Sequence, residues 1–414
     1  MTTASKITDR IQLIDVLRGF ALLGIVMVHF IEQYYAGMPP EKAANYNAHN
    51  LADQIVQGLV FFFVAGKFYM IFSFLFGMSF FIQFSKSDGS AKFQLRFLWR
   101  LIILFAIGWL HHLHYRGDIL TIYAILGVGL LLFHRLPDRA LLIVALILVI
   151  NTPSLVTRGV QVIQTFQTGT SANPFVGDNV ANEKYFEILK SGFYLETLKA
   201  NANEFKPKME FQVISGRVYI TLGLFLLGLY AGRKKIFEQI DSYLPLFKKM
   251  RNKSLRVMLG LVLFSAAFFG GAQLLKVNLS SEVQWMVGGF VYDLFNACQA
   301  LFYVSVIILL YQKEKWRHRL HYFYEVGRMG LTTYLMQTFL GIFIFFGIGL
   351  NLLNVIGATL CFVIAIVIFA LQIAFAKWWL ARFNFGPIEW LWRSLTYLSW
   401  QPLLKIQTTD SSTN

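Results

Sequence analysis

The chain has 414 residues, 56% of them hydrophobic and 14% charged, with 41 Phe and a formal net charge of +15. A soluble protein of this size carries about a quarter charged residues, so a water-soluble globular enzyme is excluded. The positive balance does not point to nucleic acid, because the basic residues fall between long apolar runs and act as topology signals.

Those runs recur from end to end and read as an all-α, polytopic transmembrane helix bundle. About ten spans are expected, at roughly 11–31, 56–84, 97–113, 117–134, 139–154, 213–231, 255–275, 286–311, 328–350 and 355–380. With the N-terminus in the cytoplasm, inner segments hold 25 of the 37 Lys and Arg, outer segments nine, and Arg18, Lys67 and Arg217 lie inside spans. Six of the outer nine sit in one long loop, so the short outer segments keep only three. That bias puts both termini in the cytoplasm. Residues 1–400 are then one integral membrane domain, with an extracytoplasmic loop at 155–212 and a cytoplasmic loop at 232–254. The first apolar run lacks a small-residue cleavage site and reads as an uncleaved anchor. The lipid bilayer is the first partner, and the basic clusters at 233–235 and 248–253 read as contacts to anionic lipid. Residues 168–174, Thr-Gly-Thr-Ser-Ala-Asn-Pro, predict a turn-rich connector. The apolar spacing over 182–198 predicts one or two amphipathic helices, lying on the outer surface or covering an outward-facing cavity. Residues 401–414 read as a disordered polar tail. Cys298 and Cys361 both fall in spans, which argues against a disulfide framework or a thiolate metal site.

The first span carries an acid, a base and a histidine. Asp15 and Arg18 are i,i+3 neighbours and can pair. His29 follows Arg18 by eleven residues, which leaves them roughly 20° apart on the wheel and about 16 Å apart along the axis. The three share one stripe, as expected for the wall of a polar cavity reaching into the membrane. The competing reading is an interfacial pair with Arg18 snorkelling and His29 in the opposite headgroup layer.

Further polar groups lie inside the other spans. Lys67 has no acid on its own helix, so it needs a ligand's anion or a salt bridge to an acid such as Asp118 or Asp293. His111, His112, His114 and Asp118 cluster at the end of span 3. A metal site would need the helix to continue through Gly117, and no metal is expected; a general-base or hydrogen-bonding role for one histidine fits better. Asp118 also suits the N-cap of span 4. Arg217 enters span 6, where it snorkels or holds a carboxylate or phosphate. Asp293, Asn296, Gln299 and Tyr303 lie close to one face of span 8. Span 9 opens with Glu325-Val-Gly-Arg328-Met-Gly-Leu-Thr332-Thr333-Tyr334. Pro387, Glu389, Trp390 and Trp392 read as a capped interfacial anchoring helix.

Three separated blocks resemble one family. The opening Ile14-Asp15-Val-Leu-Arg18-Gly19-Phe-Ala-Leu-Leu-Gly24-Ile is similar to the Leu-Asp-x-x-Arg-Gly-Phe-Ala-Leu-Leu-Gly-Ile signature of the YeiB-like bacterial membrane proteins, domain of unknown function 418. Gly108-Trp-Leu-His111 with Gly117-Asp118-Ile-Leu-Thr-Ile-Tyr123-Ala resembles their His…Gly-Asp-Ile-Leu-x-x-Tyr-Ala region. Gly327-Arg328-Met-Gly-Leu-Thr332-Thr333-Tyr334-Leu and Gly386-Pro-Ile-Glu389-Trp-Leu-Trp-Arg393-Ser-Leu-Thr-Tyr397 resemble their closing elements. Two positions depart: the family commonly has Asn at Thr333 and often has Asn at His29. The opening is also similar to that of wider membrane acyltransferase families, which carry Leu-Asp-x-x-Arg-Gly and a His about ten residues on.

That resemblance implies a multi-pass protein of the bacterial cytoplasmic membrane that moves an acyl group from cytosolic acyl-CoA to an extracytoplasmic cell-envelope acceptor. On that reading the candidate catalytic set is His29, Asp15 and His111, and the polar residues inside the spans complete a candidate binding set of Arg18, Lys67, Arg217, Asp118, Asp293 and Arg328. Arg18 would hold the CoA phosphate or pantetheine, with Asp15 fixing its fork. His29 would be the general base or a transient acyl carrier. Lys67, His111 or Arg217 would stabilise the oxyanion or orient the acceptor. The alternative is a transporter of a small anionic solute, using Lys67 and Arg217 for the anion and Asp15 and Asp293 for protons. A non-catalytic assembly or sensor protein is a third class, with no sequence feature in its favour. Acceptor, acyl chain length and self-association stay open.

Overall fold

The computed structural model describes residues 3–37, 39–43, 46–85, 91–168 and 179–405, and among them there is no β-strand. The expected connector at 168–174 lies outside the described residues beyond Thr168, as does the expected tail from 406. Six helices are long and apolar enough to cross a membrane, or up to eight if each bent pair is one span. By length and composition these mark a membrane protein.

Helix α1 (Thr3–Ile31) ends in a turn where Gln33, Tyr34 and Ala36 take positive φ. The second expected span is broken. Helix α2 (Leu51–Phe63) stops and α3 (Phe68–Phe84) starts after a turn at Gly66, φ +83°. Only glycine enters that region without strain. Asn50 caps α2 by accepting from the Asp53 amide. Helices α4 (Ala91–His114) and α5 (Leu120–Phe133) follow. Helices α6 (Asp138–Val149) and α7 (Thr152–Thr168) bend by 43° at Asn151, so helix runs well past the expected span end at 154. The segment between α7 and the next long helix supplies α8 (Asn179–Ser191), α9 (Tyr194–Asn203) and α10 (Phe205–Ile214). They sit over the end of α4 and the turn after α1. Asn201 donates to the Leu113 carbonyl at 3.0 Å and Tyr35 to the Asn182 carbonyl at 2.9 Å.

Helix α11 (Arg217–Arg233) starts after a 69° bend at Gly216. Helix α12 (Ile240–Ser265) begins fifteen residues before the expected span, taking in the basic cluster. It passes through a π-helical turn, Ala266–Gly270, into α13 (Gly271–Leu274). The 31-residue α14 (Ser281–Tyr311) is followed by α15 (Glu314–Leu320), α16 (Tyr324–Arg328), α17 (Gly330–Phe345), α18 (Ala358–Arg382) and α19 (Pro387–Tyr397). Residues 401–405 of the expected tail run beside Arg382–Asn384, with Asn384 N donating to the Leu403 carbonyl at 2.9 Å.

Lipid tails are as apolar as leucine, so spans associate through close packing and small residues. Two glycine contacts dominate. On α3 and α11, a Cβ at Gly77 would stand 1.9 Å from the Phe225 carbonyl oxygen, and one at Gly228 2.1 Å from that of Phe74. On α16 and α1, a Cβ at Gly327 would stand 1.8 Å from the Asp15 carbonyl oxygen. No side chain can move aside there, because the obstacle is backbone. Gly77→Ala and Gly228→Ala are therefore expected to destabilise by about 1–3 kcal/mol each through overpacking. Gly260→Ala, with nothing within 4 Å, is expected to leave the melting temperature unchanged or raise it. Thermal unfolding in one detergent checks all three; equal shifts for Gly77→Ala and Gly260→Ala would overturn the packing argument.

Candidate functional site

The polar stripe of α1 opens into two chambers placed end to end. The first, about 270 Å3, holds Arg18, Ser79, Arg100, Arg328 and Glu389, with an apolar body of Phe72, Phe76, Phe80, Phe97, Leu101 and Leu104. The second, about 310 Å3, holds His29, Glu32, Tyr69, Asp118, Arg217 and Tyr292. Ile25, Tyr69, Ile119 and Tyr334 line both and form the partition between them.

In the first chamber Arg18 pairs with Asp15 and also donates to the Gly327 carbonyl and Ser79 Oγ, each at 3.2 Å. The expected i,i+3 pair therefore forms and is tied to α3 and α16. Arg328 donates to the Asn384 carbonyl at 3.3 Å, and Arg100 lies 4.4 Å over the Trp392 ring. Neither has a carboxylate within ion-pair distance among the described residues. Glu389 was expected to serve its own helix. Its carboxylate instead accepts from Leu331 N at 2.6 Å, Thr332 N at 3.0 Å and Thr332 Oγ1 at 2.5 Å. It caps α17, where free amides and the helix dipole favour a negative charge.

In the second chamber the Tyr115 hydroxyl lies 2.9 Å from His29 Nδ1, and the rings of Tyr34, Tyr115 and Tyr334 surround the imidazole. An imidazole that donates Nδ1–H to the Tyr115 oxygen keeps Nε2 unprotonated, with its lone pair free to accept a proton. His111 is buried behind this group, with Nδ1 at 2.7 Å from Asp118 and its ring 5.1 Å from that of Tyr334. Asp118 also accepts from Leu120 N, Thr121 N and Thr121 Oγ1, so it does cap α5. Lys208, from α10, reaches it at 3.6 Å. His111 Nε2 and the Tyr334 hydroxyl are buried with no partner among the described residues. Buried polar atoms left so are costly unless water or a ligand meets them.

The three adjacent histidines part ways. His112 Nδ1 lies 3.1 Å from Lys208 Nζ, and His114 Nε2 lies 2.8 Å from the Tyr194 hydroxyl. Helix α4 ends at His114, so Asp118 is not on its face, and no group of three or more His, Cys, Asp or Glu converges among the described residues.

Arg217 lines the second chamber at the start of α11, with its guanidinium 5.9 Å from the Tyr69 ring. It faces Glu32, whose carboxylate makes no hydrogen bond among the described residues. Asp293 is engaged elsewhere: it accepts from Asn151 Nδ2 at 2.8 Å and sits 3.7 Å from Arg158. It ties α7 to α14 and lines neither chamber. Lys67 forms no salt bridge to Asp118 or Asp293, donating instead to the Phe61 carbonyl at 2.9 Å. The structure thus gathers Asp15, Arg18 and Arg328 at one chamber and His29, His111, Asp118 and Arg217 around the other. Glu32, Tyr69, Tyr115, Lys208 and Tyr334 were not anticipated. Glu32 follows His29 by three residues, a spacing that puts both on one face.

The Glu389 cap makes a checkable demand. Glu389→Ala is expected to cost about 1–2 kcal/mol of stability, and Thr332→Val less, because two amide bonds survive. Thermal unfolding measures both; a larger loss for Thr332→Val would show that the cap is not what matters.

A family model described as "Protein of unknown function (DUF418)" matches residues 231–399. Across its length the chain is similar to the "Uncharacterized protein YxaH" of Bacillus subtilis (strain 168), at 31% identity covering 96% of each chain. It is also similar to the "Uncharacterized 39.9 kDa protein in amylase 3'region" of Bacillus acidopullulyticus, at 26% identity over 97% of this chain and 98% of that one. Over 71 residues, 17% of this chain and 18% of the other, it is 44% identical to the "Uncharacterized protein YeiB" of Escherichia coli (strain K12). No solved structure matches.

Proposed function

The chain belongs to the DUF418 family of YeiB- and YxaH-like proteins, and from that premise we propose that it is a membrane acyltransferase. It takes an acyl group from cytosolic acyl-CoA and passes it to an extracytoplasmic cell-envelope acceptor. In this reading the eight candidate spans, counted with both bent pairs, and the two shorter apolar helices α5 and α17 make ten crossings. Both termini face the cytoplasm by the charge bias, and the membrane is the bacterial cytoplasmic one.

One observation carries the reading: Arg18 and His29 stand on one helix in two chambers that share a single partition. A group-transfer protein that works across a membrane needs a donor pocket and an acceptor pocket meeting at the reacting carbon. The first chamber has guanidinium groups at one end and an apolar body, the chemistry of a phosphate-bearing thioester with a chain. In the second, His29 takes the proton from an acceptor hydroxyl or amine as its oxygen or nitrogen attacks the thioester carbonyl. The C–S bond breaks, and the proton is returned to the departing CoA thiolate. Tyr334 and Tyr69, in the partition, present polar hydrogens near the developing oxyanion. Asp118 and the His111 proton order the surroundings of Tyr334, and Arg217 with Glu32 orients the acceptor.

A transporter would use the same chambers as alternating half-sites, with the partition as gate; the unengaged Glu32–Arg217 pair favours that reading as an ion-coupled substrate site. The two separate cleanly. His29→Ala is expected to lower acyl turnover by about 10²–10⁴-fold while keeping acyl-CoA affinity. Arg18→Ala is expected to weaken acyl-CoA binding by about 10–100-fold, the worth of a charge-assisted hydrogen bond. Calorimetry on detergent-purified protein measures binding, and thermal unfolding confirms that each variant is folded. If the folded wild type binds no acyl-CoA of any chain length, the acyltransferase reading is wrong.

A further inference from the structure

A third cavity lies outside the two chambers. It is a crevice of about 330 Å3 between α2, α12 and α14, floored by Lys67 and Asn296. Lys67 is 1% exposed; among the described residues its ammonium donates to the Phe61 carbonyl at 2.9 Å and lies 5.9 Å from the centre of the Phe295 ring. No carboxylate lies within ion-pair distance of it among the described residues. Asn296 is equally buried, and neither Oδ1 nor Nδ2 of its amide has a hydrogen-bond partner among the described residues. A buried charge without a counter-charge and a buried amide without a hydrogen bond each cost several times what a paired group costs. Both open into the same space, and Gly66 admits the amide there: a Cβ at that position would stand 2.6 Å from Asn296 Nδ2.

We infer that this crevice binds the carboxylate head of a single-chain fatty acid, whose tail extends into the bilayer. Three features select that occupant. The first is charge: one ammonium calls for one negative charge. The donors come next. Lys67 Nζ and Asn296 Nδ2 suit the two oxygens of a carboxylate, while a phosphodiester would bring oxygens and a substituent that the Phe61, Phe62 and Phe295 rings cannot hydrogen-bond. Depth is the third. Asn296 is the sixteenth of 31 residues in α14, about 22 Å from either end, too deep for a bulky head group but open to a compact one. The way in is lateral, since Phe62 and Val262 at the rim are 45% and 46% exposed on the outside of the bundle. The wall opposite Lys67 includes the π-turn at Ala266–Gly270, an irregularity frequent at functional sites. Phe61 and Tyr292, stacked with centroids 5.8 Å apart, belong to both this crevice and the His29 chamber, so the occupant lies one aromatic pair from the imidazole. The inference follows from Lys67 and Asn296 and stands whether or not the neighbouring chemistry is acyl transfer.

The test is photo-crosslinking of the full-length purified protein in a non-ionic detergent. The probe is a palmitic acid analogue with a diazirine in its chain. Labelling is expected on peptides spanning 261–269 and 291–296, suppressed by excess palmitate but not by palmityl alcohol, acetate or phosphatidylglycerol. Lys67→Met should lower labelling about tenfold or more, the worth of a charge-assisted hydrogen bond, and Lys67→Arg should retain it. Without lipid, Lys67→Met should melt no lower than wild type, because it removes an unpaired buried charge. Equal competition by the alcohol would make the crevice a plain apolar groove. Competition by acetate would make it a soluble-anion site, and by phosphatidylglycerol a phosphate site. Each of those results, or undiminished labelling of Lys67→Met, overturns the assignment. Should Lys67→Met not fold, the competition series on wild type decides alone.

Discussion

The two chambers beside Arg18 and His29 depend on how closely α1 lies against α16 and α17. Gly327 packs on the Asp15 carbonyl with no room for a Cβ, and Gly330 packs on the stem of Arg18. Further along, Tyr334 reaches the His29 ring and Gly341 meets the ring of Tyr34. The two segments therefore run parallel over the whole length of the stripe. Small residues are what permit such an approach between spans. A looser contact would part Arg18 from the Gly327 carbonyl and Tyr334 from His29 at the same stroke.

Irregular backbone at membrane depth is tolerated only where it lines a cavity or is buried in protein. Two breaks in this chain line cavities. The turn from Val64 to Lys67 supplies Gly66 to the His29 chamber and Lys67 to the lateral crevice. The turn after α1 carries Glu32 into the same chamber, while Gln33 anchors it by donating to the Ile356 carbonyl and accepting from Asn354 N. The polar backbone exposed by each break is thus met by the space that the break helps to make.

Much of this could be read from the residues. The helical class followed from composition, and the stripe of Asp15, Arg18 and His29 followed from helical periodicity alone, because those three sit on one uninterrupted helix. The breaks could not be read, since an apolar run such as 51–84 keeps the same hydropathy whether it is straight or turns at a glycine. Partners far apart in sequence were equally hidden. Asp293 lies on a polar face, but only the fold shows that Asn151 and Arg158 use it up. Glu389 stands in the first turn of its own helix, the pattern of a local cap, yet its carboxylate serves α17. Glu32 stood just past the end of a span, where an acid ordinarily signals nothing more than the return to water.

The position of Glu389 and Trp392 in the chain bears on how the protein is made. Arg18 and Ser79, on α1 and α3, lie early in the chain, but the chamber they line is closed by Glu389 and Trp392 of α19. During synthesis Arg18 and Ser79 therefore wait for some 300 residues to be made before their far wall arrives. The chamber is assembled after the spans are, in the order that long-range contacts impose on folding. A chain cut short before α19 would keep its membrane helices and lose the cap on α17, leaving an insertable bundle without a finished interior.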